Sequence, residues 1–132
     1  MEAKLKHLEF IQQVIVRMNS NSFMIKGWAI TIIAALFALS AKDSNKAYVI
    51  IAYLPLFPFW ILDSFYLSKE RQYRKLYDAV RIKNENEIDF SMDTNSFNVG
   101  NNTWFNTVIS KTLCPFYGLL LILTIIIMFL II

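Results

Sequence analysis

The chain has one cysteine, one histidine, three glycines and three prolines in its 132 residues. A lone Cys114 can close no disulfide within the chain, and its role as a small apolar packing residue needs no further chemistry. His7 has no cysteine, serine or carboxylate at a spacing that suggests a triad, and with Cys114 in a different element the two form no metal set. Three scattered glycines build no phosphate-cradling loop, and no internal repeat is evident. These absences argue against an enzyme and against a metal or cofactor. What they leave is binding, assembly and permeation.

Apolar residues are what the chain has in excess, at 56% of its composition. Residues 114–132 carry no charge and end in LLLILTIIIMFLII. At about 1.5 Å per residue, such a run covers roughly the 30 Å of a hydrocarbon core. Two further apolar runs, residues 27–41 and 47–67, are separated only by Lys42, Asp43, Ser44, Asn45 and Lys46, which predicts a hairpin of spanning helices turning near Ser44. Ala38, Leu39 and Ser40 resemble a small-residue cleavage site. Yet the long preceding segment, with Glu2 and Glu9, is unlike a signal n-region, so the first span reads as uncleaved. The expected fold is an all-α membrane protein with the lipid bilayer as its first partner: a long antiparallel hairpin of two spans with cytoplasmic extensions, plus a third C-terminal span, assembled as a homo-oligomer. Residues 1–132 form a single membrane domain, with spans at 21–41, 47–67 and 112–132.

The basic residues orient it. Lys4, Lys6, Arg17 and Lys26 precede the first span, and Lys69, Arg71, Arg74, Lys75, Arg81, Lys83 and Lys111 lie between the second and third, whereas the short turn holds only Lys42 and Lys46. The positive-inside rule then places the amino terminus and the second connection in the cytoplasm, for a multi-pass protein of the bacterial inner membrane.

Outside the spans the apolar residues change period. Leu5, Leu8, Ile11, Ile15 and Met18 mark one face of an amphipathic helix over residues 1–20, and Tyr73, Leu76, Tyr77 and Val80 repeat that spacing after span two. The Asn-Ser run at 19–22 leaves open a bend or a fresh N-cap between the first helix and span one. In an antiparallel hairpin turning near Ser44, residues at equal depth have numbers summing to about 88 or 89, which sets Lys26 opposite Asp63 and Glu9 opposite Val80 and Arg81. Pro55 and Pro58 predict a bend in span two. Residues 84–103 read as an acidic, Asn-rich loop ordered by Ile88, Phe90, Met92 and Phe97. Asn102 or Thr103 then caps a short helix whose Trp104, Phe105, Val108 and Ile109 suit the membrane interface. Residues 68–111 thus comprise a cytoplasmic helix, a loop and an interfacial helix.

Three constellations carry possible function. Lys26 and Asp63 are charges at the cytoplasmic edge of the spans, costly there unless paired; an interhelical ion pair fixing register stands against a cation path lined by Asp63 and a snorkelling Lys26. Arg71, Arg74, Lys75 and Arg81, interleaved with Tyr73 and Tyr77, combine phosphate-neutralising cations with rings that stack on bases, which suits a nucleotide or short single-stranded DNA. The rival explanation is an ordinary basic flank with interfacial tyrosines. Thr31, Ala34, Ala35 and Ala38, continued by Ala41, form a small-residue stripe on span one for a pore or oligomer interface, or for close packing against span two.

HLEFIQQVIVRMNSNSFMIKGWAITIIAALFAL, FWILDSFYLSKERQYRKLYDAVR, DFSM and SKTLCPFYG together resemble a group of small bacterial membrane effectors encoded in anti-phage defence operons beside signal-producing enzymes. The likeness is greatest to the membrane effectors of the Hailong system, whose partner enzyme makes oligodeoxyadenylate; effectors paired with a TIR-type enzyme are a second candidate. The resemblance implies an oligomeric ion channel that depolarises the infected cell, held shut by bound DNA oligomers in the Hailong case, and it adds weight to the basic, tyrosine-rich helix as a ligand site. An anchoring subunit for a soluble partner enzyme and a holin-like ungated toxin are the alternatives.

Overall fold

A computed structural model describes residues 2–43 and 45–131, with no strand among them; the turning point expected at Ser44 lies outside the described residues. Helix α1, Glu2–Asp43, runs unbroken for 42 residues, or about 60 Å. The helix is continuous through the Asn-Ser run, with no fresh N-cap there; Ser22 faces inward and Asn19 and Ser20 face solvent. Helix α2, Lys46–Arg81, begins at an Asn45 cap whose side chain accepts from the Ala47 N–H at 3.0 Å, and it continues through Pro55 and Pro58.

The buried residues of α1 explain how two such long helices stay in register. His7, Ile11, Ile15, Ser22, Ile25, Ala29, Ile33 and Ser40 point inward. His7, Ala29 and Ser40 fall on one eleven-residue series, and Ile11, Ser22 and Ile33 on another. That period lies close to the natural winding of a helix, so one stripe faces the partner along its whole length. An apolar count alone misses the stripe because three of its members are His7, Ser22 and Ser40.

Two apolar cores result. One gathers Ala29, Ile33, Ala52 and Leu56 with Leu67, Leu113 and Tyr117; the other gathers Ile11, Ile15, Leu76 and Val80, with Leu8, Tyr73, Tyr77, Ile88, Met92 and Phe97 packed around them. Residues 84–103, expected to be plain loop, form three single turns of 3-10 helix at Glu85–Glu87, Asn95–Phe97 and Gly100–Asn102. Thr103 then caps the five-residue helix α3, Trp104–Val108, its hydroxyl accepting from the Asn106 N–H. Helix α4, Cys114–Ile131, has 18 residues and carries Pro115 in its first turn, where a missing N–H costs nothing.

Two of these helices, α1 and α2, are long and apolar enough to cross a membrane. Helix α4 is apolar but shorter.

Candidate functional site

Lys26, Asp63 and two side chains not singled out from the sequence meet where all three long helices touch. Asp63 on α2 is fully buried, and Lys26 Nζ on α1 lies 2.6 Å from its Oδ2. Tyr117 on α4 donates its hydroxyl to the same oxygen at 2.8 Å, and Ser22 on α1 donates to Oδ1. Lys26 also donates to Ser22 Oγ at 2.8 Å. The carboxylate therefore accepts from three donors on two other helices, which is the condition under which a buried charge is tolerable. Tyr117 is itself held, stacked on Trp60 at 5.7 Å. The pairing of Lys26 with Asp63 was legible in the hairpin register. Ser22, in the polar Asn-Ser run, and Tyr117, in the last apolar run, carried no signal of this partnership. Glu9, set by the same register opposite Val80 and Arg81, stands 3.7 Å from Lys6 on its own helix, while Arg81 stands 3.5 Å from Asp78.

About two turns further along α2, an open cleft of about 740 Å³ separates this helix from residues 101–111. Arg71, Arg74, Lys75 and Lys111 line it, with Asp78 the one acid in its wall. Arg71 is half-buried and anchored, donating to the Asn101 carbonyl at 2.9 Å and more weakly to Thr112 Oγ1 at 3.4 Å. Arg74 is tied to the buried carboxylate of Glu70 at 2.9 Å. Lys75 and Lys111 make no ion pair with any described residue, so their charge faces the cleft uncompensated. Lys111 was counted in the sequence only as part of a basic flank. Its place beside Arg71 depends on the chain returning.

A polar clamp fixes that return. Gln72 is buried, and its amide nitrogen donates to Ser68 Oγ at 3.0 Å, to the Asn102 carbonyl at 3.1 Å and to Asn98 Oδ1 at 3.3 Å, while its oxygen accepts from Thr94 at 2.9 Å. Ser68 adds a 2.6 Å bond to the Asn102 carbonyl. Trp104 donates to Ser64 Oγ at 2.8 Å, and the Thr107 hydroxyl donates to the Ser64 carbonyl at 2.9 Å. The acidic stretch is thus docked on α2, and its end forms the far wall of the cleft.

The other residues of the basic constellation lie elsewhere. Tyr73 and Tyr77 pack against the core of Ile11, Ile15, Leu76 and Val80 and do not line the cleft, nor does Arg81. Thr31, Ala34, Ala35 and Ala38 are all exposed on the single chain, because Ala29 and Ile33 occupy the face turned towards α2. The stripe is therefore not used for packing within the hairpin.

The DFSM residues fasten the amino-terminal part of α1. Phe90 takes a left-handed φ of 56°, which turns the Ser91 carbonyl towards the fully buried His7; His7 Nε2 donates to it at 2.8 Å. The Ser91 N–H donates to Asp89 Oδ1 at 3.1 Å and holds that carboxyl below its usual range. Glu85 accepts from the backbone N–H groups of Ala3 and Lys4, at 2.8 and 3.2 Å, at the positive end of the α1 dipole. No family model, no curated protein and no solved structure matches this chain.

Proposed function

We propose that the protein is the pore-forming membrane effector of a bacterial anti-phage defence system, which depolarises the inner membrane as a homo-oligomer and is gated by a nucleotide or short single-stranded DNA bound on the cytoplasmic side. In this reading α1, α2 and α4 all cross the bilayer, with the amino terminus and the cleft in the cytoplasm. Helix α4, at about 27 Å, suits a hydrocarbon core with little tilt. Three helices enclose no water-filled path by themselves, so several copies must surround an axis. The exposed small residues Thr31, Ala34, Ala35 and Ala38 supply a surface on which helices of neighbouring copies can approach closely.

The observation that carries the ligand is the cleft, where Lys75 and Lys111 lack ion-pair partners among the described residues beside the anchored Arg71. Phosphates are the natural counter-charge for such a site. The test is charge reversal of Arg71, Lys75 and Lys111 in the full chain in nanodiscs, reading oligodeoxynucleotide affinity and, in cells, membrane potential. Binding should fall steeply and steepen less with salt. A closing ligand then gives constitutive depolarisation, and an opening one gives loss of toxicity. Unchanged affinity and unchanged potential would leave these cations with only a topological role.

A second reading, an anchor for a soluble enzyme, draws on an apolar groove lined by Leu5, Leu8, Val16 and Tyr77 on the amino-terminal part of the hairpin. Ion flux from the purified protein in liposomes separates the two, since an anchor conducts nothing.

A further inference from the structure

Behind the cleft lies a smaller depression of about 340 Å³, lined by Gln12, Ile15, Arg74, Tyr77 and Asp78. Arg74 and Asp78, one helical turn apart, line both spaces and form the ridge between them. A site for phosphate alone needs no such annex. The annex has a different chemistry: Ile15 is buried beneath it, Tyr77 is held half-buried against the same core, and Gln12 is exposed with its amide bonded to no described residue. An aromatic ring, an apolar floor and a free amide next to a cationic cleft are the elements of a nucleobase pocket.

Resting on the ligand reading above, we propose that this depression is a base-reading subsite, with the phosphates of the ligand in the cleft and one base over Tyr77, and that it selects bases carrying an exocyclic amino group. Gln12 alone does not select, because its amide both donates and accepts and so satisfies either an amino–imine edge or a carbonyl–imide edge. Asp78 breaks the tie. Its carboxylate only accepts, so it welcomes an amino group and repels a base carbonyl. Arg81, 3.5 Å from Asp78 Oδ1 on the side chain's own helix, is a positioning residue for that carboxylate and lines neither space. Sequence reasoning placed Arg81 and Tyr77 among the ligand contacts with a phosphate and a base respectively; here Tyr77 keeps the stacking role and Arg81 acts through Asp78.

Cytosine and uracil isolate the selecting group, since they share size and stacking surface and differ in the amino or carbonyl at one ring carbon and the adjacent ring proton. Labelled oligodeoxycytidylate and oligodeoxyuridylate of equal length are titrated against the full chain in neutral-lipid nanodiscs. The wild-type protein should favour cytosine by about tenfold, the scale of one well-placed base contact. Asp78→Asn should bring the two within about twofold by raising uridylate affinity, whereas Gln12→Leu should weaken both oligomers and keep the preference for cytidylate. Tyr77→Phe, which keeps ring and packing, should keep the preference. Equal wild-type affinities, or an Asp78→Asn variant that keeps the wild-type preference, would overturn the base subsite while leaving the phosphate cleft standing. Failure of both oligomers to bind would overturn the ligand reading and this subsite together.

Discussion

Two charged places on α2, Asp63 and the stretch from Arg71 to Asp78, lie about two turns apart and are built on opposite terms. Asp63 is fully buried and meets Ser22, Lys26 and Tyr117 from the other long helices. Arg74, Lys75 and Asp78 are exposed, and apart from links along the same helix they face open space. A charge completed inside the fold orders the fold; a charge left facing a cleft is available to something else. The difference follows from desolvation, which is severe for an unpaired ion in apolar surroundings and slight for one at a wet surface.

The comparison is broken most severely at Asp63. Asp63→Ala leaves the Lys26 ammonium without its counter-ion among apolar neighbours and should destabilise the protein by about 3–5 kcal/mol. Denaturation of the detergent-solubilised protein measures it, and a loss below about 1 kcal/mol would show that water already reaches the cluster.

Next comes the clamp that positions the far wall of the cleft. Gln72→Leu strips Thr94, Asn98 and Asn102 of their common partner and should cost about 1–3 kcal/mol, with faster amide exchange across residues 94–102. If exchange there stays at the wild-type rate, the wall stands without Gln72.

A smaller loss is expected at Tyr117. Tyr117→Phe removes one of three donors to Asp63 while keeping the ring on Trp60, so about 1 kcal/mol should disappear from the same denaturation curve.

The cleft should yield the smallest change in stability. Lys75→Glu and Lys111→Glu alter exposed groups that hold no partner among the described residues, so each should shift stability by less than about 0.5 kcal/mol. Their effect should appear in ligand affinity instead. Lys42→Glu, at the opposite end of the hairpin, should change neither.

Much of this arrangement was legible in the residues, because helices obey local rules. The three apolar runs, the Thr103 cap and the pairing of Lys26 with Asp63 follow from hydropathy, capping chemistry and the arithmetic of an antiparallel hairpin. The polar members of the packed stripe, His7, Ser22 and Ser40, did not declare themselves, since a serine or histidine at a helical position looks the same whether it faces water or a partner. The tyrosines misled in the other direction: a basic, aromatic stretch of one helix looks continuous in sequence, yet Tyr73 and Tyr77 pack against the core while Arg71 and Lys75 line the cleft.

By itself the sequence determined that the chain is helical, that α1 and α2 are long and apolar enough to cross a bilayer, and that positive charge concentrates on the side of their extensions. Periodicity and hydrophobicity are properties of neighbouring residues, and they need no knowledge of what the chain meets later. Only the tertiary structure decided that Tyr117 completes the Asp63 cluster, that Lys111 joins Arg71 across a cleft, and that Thr31, Ala34, Ala35 and Ala38 are left uncovered. The far wall of the cleft depends on where residues 94–107 dock, which Gln72, Ser68 and Ser64 fix through hydrogen bonds to residues more than twenty positions away. Such bonds leave no local pattern, because donor and acceptor share neither a helix face nor a turn.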